Sequence, residues 1–171
     1  MQTCMFTGHR LQNLPFGFNE TDQRCIQLYK KLEKLIREKI TEHGVENFMT
    51  GMALGIDCYA AEIVLKLKNK YPHVTLTAVL PCADQTAKWQ EKNILRYNAI
   101  LKECSEVFIL QQRYTKDCMN KRNIYMTEHA DSVIAVWDGS KSGTGNTVRF
   151  ALKRGLPVTI LDPITLKVRT Y

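Results

Sequence analysis

The chain has 171 residues, 44% of them hydrophobic and 24% charged, which is the size of one domain of about 100–200 residues and the composition of a soluble globular protein, not a disordered one. No apolar run approaches the ~18 residues of a membrane span, and the N-terminus has no basic segment followed by an apolar stretch, so no membrane association or signal peptide is expected and the reading is a cytoplasmic single domain over 1–171. A formal net charge of +7 suits phosphate-bearing partners without choosing between nucleotide and nucleic acid.

The first apolar run, Thr3 to Thr7, ends at Gly8 and predicts a buried strand that runs into a turn. Cys25, Leu28, Tyr29, Leu32, Leu35, Ile36 and Ile40 then recur at helical spacing, with Gly44 as the C-terminal cap. On that helix Lys30, Lys31, Lys34, Arg37 and Lys39, interleaved with Glu33 and Glu38, read as a solvated outer face. A strand over Val45 to Thr50 leads through Gly51-Met52-Ala53-Leu54-Gly55-Ile56-Asp57 into a helix ending near Lys70. Val74 to Leu80 is β-rich and stops at Pro81, and Thr86 is placed to cap a helix carrying Trp89, Ile94, Leu95 and Leu101. Val107 to Leu110 predicts a fourth strand, Asp117 to Ala130 a helix, and Ser132 to Trp137 a fifth strand. The loop Asp138 to Gly143, a helix from Thr144 to Arg154 and a strand over Val158 to Leu161 complete the chain.

Six strands alternating with five helices define an α/β class: a Rossmann-like, doubly wound parallel sheet with helices on both faces. The expected strand order is 3-2-1-4-5-6. In such sheets ligands sit outside the carboxyl ends of the strands, near the point where strand order reverses. The six cysteines form no C-x-x-C pair or Cys/His cluster, so no metal site is expected. Cys58, at a predicted helix start, is the one thiol whose setting would favour reactivity, with burial as the competing reading.

Three strand-to-helix loops are rich in glycine and small polar residues: Thr7-Gly8-His9-Arg10, Thr50 to Asp57, and Asp138 to Thr147. Glycine lets backbone N–H groups approach an anion, and the helix that follows offers unpaired donors and the positive end of its dipole. The expected guest is a phosphate. Arg10 would clamp it and His9 would contact a base or ribose. Asp57 either caps its helix or holds a ribose hydroxyl. Gln85 and Trp89, four apart, would share a helix face, with Trp89 stacking on a purine and Gln85 reading its edge. Thr144 and Asn146 would cap the last helix or donate to phosphate.

The ordered set Thr7-Gly8-His9-Arg10, Leu14-Pro15-Phe16-Gly17, Gly51 to Asp57, Pro81, Gln85, Trp89, Arg122-Asn123, Ala130-Asp131, Trp137-Asp138-Gly139 and Gly143-Thr144 resembles the YpsA-like group of the SLOG superfamily over nearly the whole chain. That superfamily also includes DNA-processing protein A and the LONELY GUY phosphoribohydrolases. The resemblance implies a Rossmann-like nucleotide-binding fold and adds Arg122 and Asn123 to the site. The binding set is then Gly8, His9, Arg10, Gly51, Gly55, Asp57, Gln85, Trp89, Arg122, Asn123, Gly143, Thr144 and Asn146. No cofactor is assigned; the expected ligand is a nucleotide or an ADP-ribose-like molecule, bound by a sensor or regulatory protein. The phosphoribohydrolase motif carries a glutamate where this chain has Thr147, and threonine cannot serve as the carboxylate acid or base. Thr50 to Asp57 and Ser142 to Val148 also resemble loops of DNA-processing protein A, which binds single-stranded DNA. That alternative would use Arg10, Lys141 and Arg149 along a backbone and Tyr59 and Trp89 as stacking platforms. A homo-oligomer is also compatible with the sequence.

Overall fold

The computed structural model describes residues 1–171. Strands β1 (Gln2–Gly8), β2 (Val45–Thr50), β3 (Thr75–Leu80), β4 (Glu106–Ile109), β5 (Ser132–Val136), β6 (Val158–Leu161) and β7 (Val168–Thr170) form one sheet. Between them run α1 (Gln23–His43), α2 (Ile56–Lys68), α3 (Glu91–Glu103), α4 (Cys118–Glu128) and α5 (Gly143–Lys153). The class is α/β and Rossmann-like, with the sheet parallel apart from the β6–β7 pair.

Alternation along the strands decides which helices cover which face. Cys4 and Phe6 of β1 face a core shared with Leu28, Leu32 and Ile36 of α1 and Ala60, Ile63 and Val64 of α2. Met5 faces the other way, toward Met126 of α4 and Val148 and Ala151 of α5. Burying each of the α1 leucines and Ile36 contributes about 1.5–3 kcal/mol. Helix α1 starts at Asp22, whose carboxylate accepts the Arg24 N–H (2.8 Å), and stops at Gly44, which takes the left-handed φ of 62°. The helix cannot continue past that residue.

The strand order is β4-β3-β2-β1-β5-β6-β7, which corrects the expected 3-2-1-4-5-6. It is β5 that pairs with β1, through Cys4 to Gly8 against Ser132 to Val136, while β4 lies at the outer edge beside β3. Burial explains the exchange: every residue of β5 is buried and every residue of β4 is exposed. Glu106 opens β4, and a central strand would have to bury that carboxylate on both sides. The seventh strand, β7, joins antiparallel through a tight turn in which Asp162 accepts the Ile164 and Thr165 N–H groups (2.8 and 3.1 Å). Its three exposed residues carry no apolar pattern to betray it.

Residues 83–90 are also corrected. They form successive turns, Ala87 N–H to Asp84 O and Trp89 N–H to Thr86 O, and α3 begins only at Glu91 with Gln90 as its cap. Gln85 and Trp89 therefore do not share a helix face. On α1, Lys39 is only 7% exposed and so leaves the solvated face on which the charge pattern placed it.

Candidate functional site

With β1 through β4 built outward in one direction and β5 through β7 in the other, strand order reverses between β1 and β5. The carboxyl ends of these two strands are where this architecture leaves a crevice. A cavity of about 160 Å³ lies there, walled by the loop after β1, the loop before α2, the inward face of α4 and the first turn of α5.

The loop from Thr50 to Asp57 is tied down at many points. The Thr50 hydroxyl donates to Asp57 O (3.0 Å) and accepts the Met52 N–H (3.2 Å), while the Ala53 N–H donates to Asp57 Oδ2 (3.2 Å). Gln85 donates to the carbonyls of Gly51 and Met52 (3.3 Å each) and accepts a longer bond from the Tyr97 hydroxyl (3.4 Å). Gly55 has φ of 109°, and a Cβ there would stand 2.7 Å from the His9 carbonyl, which accepts the Ile56 N–H. Only glycine fits that close approach. Gly55 caps α2, and Asp57, in the helix's first turn, reaches back to Ala53.

Arg122 threads through this structure. Cys118, Arg122 and Met126 form the buried stripe of α4, and the Arg122 guanidinium donates from Nη1 to the Gly51 carbonyl and from Nε to Asn123 Oδ1 (2.7 Å). A Cβ on Gly51 would occupy the position of the guanidinium, which is why residue 51 must lack a side chain. Nη1 lies 3.9 Å from Asp57 Oδ2, and both residues are buried. Burial pulls the Arg122 guanidinium below its usual range and pushes the Asp57 carboxyl above its own; the Arg122 charge, the Ala53 N–H and the nearby Arg10 charge oppose the rise of Asp57.

Across the cavity, His9 is buried and hydrogen bonds through Nε2 to Asp138 Oδ1 at 2.9 Å. Burial works against ionising Asp138, but its bonds with Ser140 and the His9 contact together hold that carboxyl down to about 2. Ser142 caps α5 by accepting the Gly145 N–H (3.1 Å), and Asn146 N–H bonds to Ser142 O. The N–H groups of Gly143 and Thr144 have no protein acceptor and stand at the cavity wall.

Of the residues read from sequence, Gly8, His9, Arg10, Asp57, Arg122, Asn123, Gly143 and Thr144 line this cavity. Gly51, Gly55 and Gln85 lie behind it as supports. Trp89 packs edge-on against Tyr97, with ring centroids 5.4 Å apart, and Asn146 is exposed on a different side, bonded to Arg149. Thr147, at the position of the hydrolase glutamate, turns inward and donates to Gly143 O (3.0 Å). Cys58 is buried against the Ala53 carbonyl (3.3 Å), and burial drives its thiol well above the usual range, the opposite of an activated cysteine. Asn13, Ala53 and Met119 also line the cavity and were missed. The i−3 spacing of Met119 from Arg122 on one helix face is the one signal that would have found any of them.

A Rossmann-like sheet with a glycine-lined cavity at its switch point is the architecture that the SLOG resemblance implies. The family described as the YspA SLOG family matches residues 4–156, and the chain belongs to that family. The chain is 33% identical over 140 residues to the "Uncharacterized SPbeta prophage-derived protein YoqJ" of Bacillus subtilis strain 168, covering 75% of this chain and 82% of that one. It is 30% identical over 146 residues to the UPF0398 protein BH1768 of Halalkalibacterium halodurans, covering 84% and 76%. Among solved structures it resembles DNA processing protein A from Helicobacter pylori, described for its single-stranded DNA binding mode, with a TM-score of 0.64 at 20% identity. That match covers 94% of this chain and 65% of the other protein, and it shows a shared fold. No helix here is long and apolar enough to cross a membrane.

Proposed function

We propose that this chain binds a nucleotide or nucleotide-derived ligand through its phosphate at the β1–β5 switch point. The observation that carries the reading is the convergence of Arg10, Arg122 and the two unpaired N–H groups of Gly143 and Thr144 on one small cavity. Guanidinium forks and helix N-terminal amides are matched donors for phosphate oxygens. At about 160 Å³ the cavity is smaller than the roughly 300–1,000 Å³ that encloses a whole small molecule. It therefore takes the phosphate and an adjoining ribose, with Asp57 available to the sugar hydroxyls, and leaves the base outside.

Titration calorimetry with AMP, ADP-ribose, NAD and inorganic phosphate tests this. The expected result is saturable binding of at least one of them, weakened about tenfold or more by Arg10→Ala, whose exposed side chain supports no part of the fold. Absence of binding across the panel, or an unchanged affinity in the variant, would refute it.

A second reading, single-stranded DNA, draws support from the shared fold with DNA processing protein A and from exposed Arg10, Lys141 and Arg149. Against it stands the lack of a stacking platform: Tyr59 is buried, Trp89 packs on Tyr97, and the one aromatic at the cavity, Phe6, is stacked in the core on Phe48. The DNA reading requires binding of an oligothymidylate that falls steeply with salt as counterions are released; the small-ligand reading requires little or none.

A further inference from the structure

The amino ends of the strands, opposite the switch point, enclose a larger cavity of about 470 Å³. It lies where the helical layer of α1 stops short of β5, β6 and β7, so that Ser132 and Thr159, on the same sheet face as α1, look into open space instead of a helix. Lys39 enters from α1. It follows Leu28, Leu32 and Leu35 along the buried stripe, so its stem is held by the core and its ammonium is directed over the sheet. The charge stands close enough to the Cys4 thiol to pull against the burial that raises that thiol to about 11.

Three side chains lining this cavity, Lys39, Ser132 and Thr159, are 7%, 8% and 6% exposed. The Lys39 ammonium and the Thr159 hydroxyl make no hydrogen bond or ion pair with the protein and are open to the cavity; the Ser132 hydroxyl sits beside Cys4. The stem is buried while the ammonium reaches the open cavity, so its donors are left to solvent or to whatever occupies that space. Two carboxylates also line the cavity, Glu38 beside Lys39 on α1 and Asp131 beside Ser132 at the start of β5. Asp131 uses Oδ2 to accept the Thr3 N–H (2.8 Å), and Glu38 pairs loosely with Lys34 (3.5 Å).

We propose that this cavity is a second binding site, for a small zwitterion of the amino-acid type, with its carboxylate on Lys39 and its ammonium toward Asp131 and Glu38. The charge layout selects the class. A phosphate dianion would meet Lys39 and His43 but face both carboxylates, whereas a zwitterion finds a complement for each of its charges. Hydroxyls of Ser132 and Thr159 supply further donors and acceptors for the carboxylate. The volume falls within the usual range for sites that enclose a whole small molecule.

The test is calorimetry and thermal shift on the full chain with alanine, serine, leucine and phenylalanine, alongside acetate and inorganic phosphate. At least one amino acid is expected to bind saturably at concentrations below about 10 mM, and more tightly than acetate or phosphate. Lys39→Met should weaken that binding about tenfold or more while the variant melts no lower than the parent. Asp131→Asn should weaken it through the other end of the ligand, and Arg10→Ala should leave it unchanged, which separates this site from the switch-point cavity. No binding by any amino acid, equal binding of phosphate, or affinity that survives both Lys39→Met and Asp131→Asn would overturn the proposal.

Discussion

Arg122 and Lys39 are both buried cations in the same sheet sandwich, at opposite ends of its central strands, and they are treated in opposite ways. Arg122 is surrounded: the Gly51 carbonyl and Asn123 accept from it and the Asp57 carboxylate stands 3.9 Å away. Lys39 is held only along its aliphatic stem, with its charge left to an open cavity. The contrast shows that burial alone says little about role. The Arg122 guanidinium works as a brace that shapes the loop forming one wall of the switch-point cavity, which it also lines; the Lys39 ammonium braces nothing.

The largest expected effect follows from removing the brace. Arg122→Met strands Asp57 and the Gly51 carbonyl in a dry site, and breaking a buried pair in this way costs about 3–5 kcal/mol, measurable as a lowered midpoint in urea. The variant should also change its response to pH. Without the guanidinium, the already raised Asp57 carboxyl rises further, so the folded state holds a proton that the unfolded chain has lost. Its stability should then recover as pH falls through the raised value toward the ordinary carboxylate range, a recovery weaker or absent in the parent. A midpoint with the same pH dependence in both proteins would show that Asp57 and Arg122 are not coupled.

Lys39→Met should act with the opposite sign, stabilising the protein by about 0.5–2 kcal/mol, because it removes an uncompensated charge and keeps the stem. If it destabilises as strongly as Arg122→Met, the ammonium has a structural partner and the comparison fails. The smallest effect is expected at Asp138. Its carboxyl is held near 2, below its ordinary 3.8, so it contributes stability above that ordinary value and loses it as pH falls between the two. Asp138→Asn should remove that part of the acid limb, read from circular dichroism, leaving the variant a little less stable than the parent near neutral pH and converging with it as pH falls toward 2.

The sequence carried the elements well wherever one face was plainly apolar. The stripe from Cys25 to Ile40 and the glycine after it define α1 almost to the residue, because a helix buried on one side leaves a 3.6-residue signature. It carried much of the candidate site for a related reason: Gly8 to Arg10, Asp57 and Gly143-Thr144 sit in strand-to-helix loops, where glycine and small polar residues stand out. Arg122 and Asn123 came only through family resemblance, since a charged residue on a helix ordinarily faces water. Lys39 could have been placed inside from its spacing seven residues beyond Leu32, but its charge outweighed its position.

What the sequence determined by itself was local: which segments alternate, where glycine permits a turn, and that parallel strands joined by helices must form a sheet covered on both faces. Tertiary structure alone decided that β5 and not β4 lies against β1, since strand neighbours are chosen by how well whole faces bury one another. It alone also decided that Gln85 supports the loop from behind while Trp89 packs on Tyr97, and that Arg122 passes through the space that a side chain on Gly51 would need. These are outcomes of packing between segments dozens of residues apart, and no local period in the chain records them.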